Sequence, residues 1–161
     1  MREMIWVILS IWFCSSVAWA ESFKTIEVWK NLFTLSQGEG PNSNSTFLIT
    51  KEGVIVVDTG VSPAEGRKIK EAIRKETKLP LLYIINTHYH GDHTFGNQVF
   101  RDTNNIIAHA NTRKALEFEA GKEHLKVLRS LKISGVEETK VTPPNIIFRD
   151  KMDIYAGEYH L

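Results

Sequence analysis

The chain has 161 residues, 42% hydrophobic and 24% charged, which suits one globular domain and is too apolar for a disordered or fibrous polymer. Twenty Lys and Arg against nineteen Asp and Glu leave a formal net charge of +1. The signs are well mixed, so no basic stripe points to nucleic acid and no acidic tail to a charged partner.

The first twenty residues differ from the rest. "MREMIWVILSIWFCSSVAWA" places Arg2 ahead of an apolar stretch from Met4 to Cys14, then small residues ending in Ala18, Trp19 and Ala20. That is the pattern of a secretory leader cleaved after Ala20. The apolar stretch is shorter than the roughly 20 residues a membrane span requires, so removal is favoured over anchoring. Lipidation at Cys14 is discounted because Trp12 and Phe13 stand where small residues should precede it. Residues 21–161 are then the mature domain, expected in the periplasm or secreted, with no stable membrane association. Cys14 is the only cysteine. The mature chain therefore has no disulfide, thiolate nucleophile or Cys ligand, and a metal would have to be held by His and carboxylates.

In chain order, Thr25 to Leu35 is extended, and "SQGEGPNSNS" (36–45) is a polar loop. "TFLIT" and "VIVVDTG" flank Lys51, Glu52 and Gly53 as a β-hairpin whose second strand is apolar enough to be buried on both faces. Ser62, Pro63 and Glu65 carry a capping-box signature, and Ile69, Ala72 and Ile73 form one stripe of a helix ending near Thr77. "LLYII" (81–85) is another buried strand. Strand, helix, strand of this length suggests a βαβ unit with a right-handed crossover. "NIIAH" (105–109) is the next strand. The segment from Asn111 to Lys132 is helical with a break near Gly121, and Leu116, Leu125 and Leu128 face inward. Pro143 and Pro144 mark a loop, and "MDIYAGEYHL" is a hairpin turning at Ala156 and Gly157.

The chemistry concentrates in "INTHYHGDHTFGNQ" (85–98). His88 and His90 are two apart, so in an extended segment they leave on one face and can reach one ion. Asp92 and His93 follow Gly91, which permits a sharp turn, so the second pair aims at a neighbouring point. Imidazoles with one carboxylate suit Zn2+ best, with Fe and Mn sharing the donor types. The cluster also follows a buried strand, and catalytic groups gather at strand carboxyl ends. His109 ends a strand on the same edge but is isolated, which suggests packing or a hydrogen bond. His124 and His160 are read as structural or surface residues. Asp58 ends the strand of "VVDTG"; it either caps the turn through Thr59 and Gly60 or accepts a hydrogen bond from the His-bearing loop and steadies the ligands.

These motifs resemble a known family. "HYHGDH" (88–93) is similar to the HxHxDH signature of the metallo-β-lactamase superfamily, and "VIVVDTG" to the strand and Asp that precede it there. "EGPNSNSTFLIT", "INTHYHGDHTFGNQ" and "IIAHANTR" further resemble exported zinc hydrolases related to sulfur-oxidation and quinoprotein-relay proteins. The resemblance runs from about Ile26 onward. It implies an α/β (α+β) chain forming the first half of an αββα sandwich with a dinuclear zinc site. His88 and His90 would serve one zinc, and Asp92 and His93 the other. Zinc lowers the pKa of bound water to about 7, and the resulting hydroxide, oriented by Asp92, attacks a carbonyl. His93 is similar to the residue in glyoxalase II-like and subclass B3-like members.

The GHT-like histidine, the later bridging Asp and the final His of that family have no counterpart here; "AGEYHL" resembles the strand before the GHT-like motif, where the His is not a ligand. Two donors per ion fall short of the three that catalytic zinc requires. The expectation is an N-terminal fragment, incomplete at its C-terminus, that is inactive or impaired alone, holds one or two zinc ions weakly and leaves apolar sheet surface uncovered. The function read from these residues is an exported zinc hydrolase acting on an ester, thioester, lactone or lactam. The alternatives are a β-lactamase and a non-catalytic periplasmic metal-binding or accessory protein.

Overall fold

The computed structural model describes residues 23–36, 43–103 and 105–161. The leader segment 1–20 and positions 37–42 of the polar loop lie outside the described residues.

Seven strands form one sheet in the order β1-β2-β3-β4-β5-β6-β7. Its first half is an antiparallel meander of β1 (Lys24–Trp29), β2 (Leu32–Ser36), β3 (Ser45–Ile49) and β4 (Val54–Val57). The extended run expected from Thr25 to Leu35 is thus two strands, divided where Asn31 takes a positive φ of 62°, a conformation Asn tolerates better than most residues. From β4 onward the pairing is parallel, through β5 (Leu81–Ile85), β6 (Ile106–His109) and β7 (Ile146–Phe148). Parallel neighbours require crossovers. These are α1 (Pro63–Glu76), a segment holding the one-turn helix α2 (Gly91–Thr94) with a 3-10 helix (Asn97–Thr103), and the pair α3 (Ala110–Glu117) and α4 (Glu119–Ser130). Every crossover leaves from the same edge, so Asp58, the His-rich loop and His109 all stand at strand carboxyl ends.

The start of α1 follows from its sequence, with one change. The Ser62 hydroxyl accepts from the Glu65 N–H at 3.3 Å, but the Glu65 carboxylate reaches past the cap to the Val61 N–H at 2.8 Å. Ile69, Ala72 and Ile73 are buried against Phe47, Val54, Val56, Ile84 and Ile106. The register explains this grouping, because Phe47 pairs with Val56, Val56 with Ile84 and Ile84 with Ile106, so all share one face. β4 is buried from Val54 to Val56 as expected, whereas in β5 only Ile84 is fully buried.

A second cluster joins Val61, Phe95, Leu116, Leu125 and Val136 and seats α3 and α4 beside α2. The helical segment breaks at Phe118 rather than Gly121. Gly121 serves a close approach instead, since a Cβ there would lie 2.9 Å from the Leu116 carbonyl oxygen. The terminal hairpin pairs β8 (Tyr155–Ala156) with β9 (Tyr159–His160), and the turn falls at Gly157 and Glu158, one residue later than expected, because Gly157 takes φ 58°. It docks beside the β3–β4 turn, where Lys51 N–H donates to Glu158. On the other sheet face Ile55 and Ile107 are buried, yet Val28 and Trp29 at the β1 edge are 53% and 74% exposed.

Gly96 brings the His-bearing crossover against β4. A Cβ built there would sit 1.9 Å from the Thr59 carbonyl oxygen, a backbone atom that cannot step aside. Gly96→Ala should therefore destabilise the protein by about 2 kcal/mol or more, measured by urea unfolding.

Candidate metal centre

The site begins where β5 ends. After Ile85 the chain bends through Thr87, His88 and Tyr89, so the segment expected to be extended is not, and it reaches His90, with φ −60° and ψ 148°, before entering α2. Three imidazoles consequently face one another. The His88 ring centroid is 4.1 Å from that of His93 and 4.7 Å from that of His90. The Asp92 carboxylate closes the group, with Oδ2 3.2 Å from His93 Nε2. The chain changes direction at Gly91, where α2 begins, without a positive φ there. Glycine is required because the Phe95 ring covers it, and a Cβ would fall 2.5 Å from Phe95 Cε2.

Asp58 organises this group from below. It is 3% exposed and sits at φ 61°, a left-handed backbone that Asp tolerates and that is uncommon elsewhere. Its Oδ1 accepts the Thr87 N–H at 2.9 Å; its Oδ2 accepts the Thr87 hydroxyl at 2.7 Å and His93 Nδ1 at 2.7 Å. An ionised carboxylate only accepts, so both partners must donate. His93 therefore carries its proton on Nδ1, and its lone pair is on Nε2, facing Asp92. Having donated to Asp58, the Thr87 hydroxyl accepts from His88 Nδ1 at 3.1 Å. The lone pair of His88 is thus also on Nε2. One buried carboxylate sets the tautomers of two histidines.

The His88 pKa is lowered, first by burial and then by His93 and His90, against the opposing pull of Asp58 and Asp92. Both effects favour the neutral imidazole, the form that ligates metal. The donor set fits zinc in type. Two ligands on a tetrahedral zinc at about 2.0–2.1 Å stand about 3.3 Å apart, and the His93 Nε2 to Asp92 Oδ2 separation of 3.2 Å matches that value. As placed, the convergence is pairwise. Among the described residues no group of three or more His, Cys, Asp or Glu side chains is gathered closely enough to hold an ion. Side-chain exposures of 20% for His93 and 30% for Asp92 leave the pair open to one.

The remaining histidines have other duties. His109 caps α3, its Nδ1 accepting from Asn111 N–H at 3.1 Å while Nε2 meets the Arg149 carbonyl at 2.5 Å. His160 stacks on Tyr155 and lies 3.0 Å from Asp153. His124 touches the site, as its Nδ1 accepts the Gly91 N–H at 3.0 Å. Burial first, and then His90, lowers its pKa.

Sequence reasoning missed the supports. Asn86 and Asn97 exchange two amide hydrogen bonds, at 2.8 and 3.1 Å, and Thr59 donates to Asn97 at 2.9 Å. The His93 carbonyl takes hydrogen bonds from Thr59 N, Thr59 Oγ1 and Asn86 Nδ2. Asn86 and Thr87 could have been suspected as polar residues closing an apolar strand. Asn97 and His124 carry no local signal. A concavity of about 420 Å3 lined by Lys70, Arg74, Leu79 and Leu81 lies at the opposite edge of the sheet and includes none of these groups.

Comparison with known proteins assigns the chain a family and a fold. The profile of the family described as the metallo-beta-lactamase superfamily matches residues 38–155. The metallo-beta-lactamase IND-1 of Chryseobacterium indologenes is 30% identical over 111 residues, covering 65% of this chain and 46% of its own. A linear primary-alkylsulfatase of a Pseudomonas species is 43% identical over 49 residues, 30% of this chain and 9% of its own. Among solved structures, the mono-zinc form of FIM-1 from Pseudomonas aeruginosa superposes with a TM-score of 0.59 at 17% identity, over 83% of this chain and 54% of that one. The chain spans less than half the length of the curated relatives it matches.

Asp58→Asn separates charge from backbone, because Asn also tolerates the left-handed conformation. It should retain the fold by circular dichroism but weaken zinc binding about 10- to 100-fold in a chelator competition, since His93 Nδ1 loses its carboxylate.

Proposed function

This chain belongs to the metallo-beta-lactamase superfamily, and from that membership we propose that it is an exported zinc-dependent hydrolase of an ester, thioester, lactone or lactam. The observation that carries the reading is the Asp58 network, which turns the Nε2 lone pairs of His88 and His93 away from the buried carboxylate and leaves them free for a metal. The mono-zinc form of a structural neighbour supports the choice of metal. The leader-like sequence of residues 1–20 supports export.

His88, His90, Asp92 and His93 would hold the metal. Bound there, zinc would polarise the scissile carbonyl and bring the pKa of water in its coordination shell to about 7. Asp92 would accept a hydrogen bond from the attacking water and aim it. Asp58 keeps a proton on His93 Nδ1, so that His93 stays in its ligating tautomer throughout. Thr87 does the same for His88.

A second reading has its own observation. The pairing of Asp92 with His93 at 3.2 Å offers two donors to an ion, and because catalytic zinc requires three protein ligands and a water, it suits a metal-binding protein that does not turn over substrate. The β-lactamase relative names one substrate class and the alkylsulfatase relative another, so a lactam is one candidate among several.

Zinc titration of the mature chain, followed by assays with a chromogenic cephalosporin and a panel of esters and lactones, tests these readings. Zinc uptake that His88→Ala and His93→Ala both abolish is the expected result; absence of uptake by the wild-type chain would sink the metal centre. Turnover that chelation removes would identify the hydrolase, and zinc binding without turnover would identify the second reading. Sequencing of the exported product should find Glu21 at its N-terminus.

A further inference from the structure

The one-turn helix α2 carries Asp92 and His93, and the residue at its cap is His90. A helix start leaves backbone N–H groups without partners, and ordinarily the cap side chain satisfies one of them. Here it does not, for His90 makes no side-chain cap hydrogen bond. The partner comes from outside the loop. His124 on α4, 33 residues further along, accepts the Gly91 N–H through Nδ1 at 3.0 Å. Its ring also meets His90 edge-on, with centroids 5.2 Å apart, and lies 5.9 Å from Phe95.

We propose that His124 is a positioning residue for the metal centre, holding the peptide between His90 and Asp92 in place from α4. The inference rests on the reading of His88, His90, Asp92 and His93 as metal donors. Gly91 has no side chain of its own to fix it; the Phe95 ring confines one side and the His124 hydrogen bond fixes its amide. That amide joins the two halves of the donor set, so its orientation determines where His90 and Asp92 project. His124 is not itself a further ligand in this arrangement. A neutral imidazole has one lone pair, and here Gly91 occupies it, which puts the proton on Nε2. Nor does His124 carry the docking of α4, which Leu125 supplies from the cluster of Val61, Phe95, Leu116 and Val136. Losing the acceptor should therefore loosen the donors without detaching the helix.

Two substitutions at one position test this. His124→Phe keeps a ring but offers no acceptor, and His124→Asn presents an amide oxygen near the place of Nδ1. Zinc affinity is measured for the mature chain by chelator competition, alongside the thermal midpoint of the zinc-free protein. His124→Phe should weaken zinc binding about tenfold or more, as loss of a supporting partner commonly does, and His124→Asn should restore most of the loss. The zinc-free midpoints of both should stay close to wild type. Wild-type affinity in His124→Phe would overturn the proposal. Equal losses in both variants would overturn it too, since the acceptor would not be the cause, as would a zinc-free midpoint that falls in parallel with affinity. Two further results assign the failure. If the wild-type chain binds no zinc, the donor reading falls and this inference with it; if Asp58→Asn loses affinity while His124→Phe does not, only the role of His124 falls.

Discussion

The arrangement depends on a carboxylate that has been taken out of water. Asp58 is nearly fully buried, at the end of a strand, in a backbone conformation most residues avoid. An unpaired buried charge is too costly to persist, so each oxygen must find donors. It finds three, two from Thr87 and one from His93. The need to satisfy one charge thereby ties β4 to the loop after β5 and dictates which nitrogen of each histidine remains free. Strain at Asp58 is tolerable because the surrounding bonds determine its place from three sides.

Beneath the loop lies a second polar layer that carries no charge. Asn86, Asn97 and Thr59 are all buried, and their mutual hydrogen bonds together with the Thr142 carbonyl account for their amide groups. Such a network rigidifies only when every member is satisfied. It grips the backbone carbonyl of His93 while Asp58 grips the side chain. Backbone and imidazole of the same residue are thus held by different elements. Gly96 makes this possible, as only a residue without Cβ lets the crossover lie against Thr59.

Much of this was legible beforehand. The strand of Val54 to Val57, the capped helix after Ser62 and the strand of "LLYII" each announce themselves by period and punctuation. β7 was not foreseen, because three residues after a double proline are too few to show a period and the strand exists through its pairing with β6. The break at Phe118 was misplaced to Gly121 because glycine usually interrupts helices, whereas here it permits contact with Leu116. At Gly91, where the sequence suggests a sharp turn, the structure adds a second demand, room for the Phe95 ring.

The donor types and their spacing belong to the sequence: His88, His90, Asp92 and His93 are neighbours in the chain, and no fold is needed to bring them near one another. Local order likewise accounts for β4, β5 and α1. Which nitrogen faces outward, which carbonyl is gripped and which residue steadies Gly91 were decided only by tertiary structure. The decisive contacts, of Asp58 with Thr87 and His93 and of His124 with Gly91, join positions 29 to 35 residues apart, and a hydrogen bond across that separation leaves no periodicity in the chain to be read.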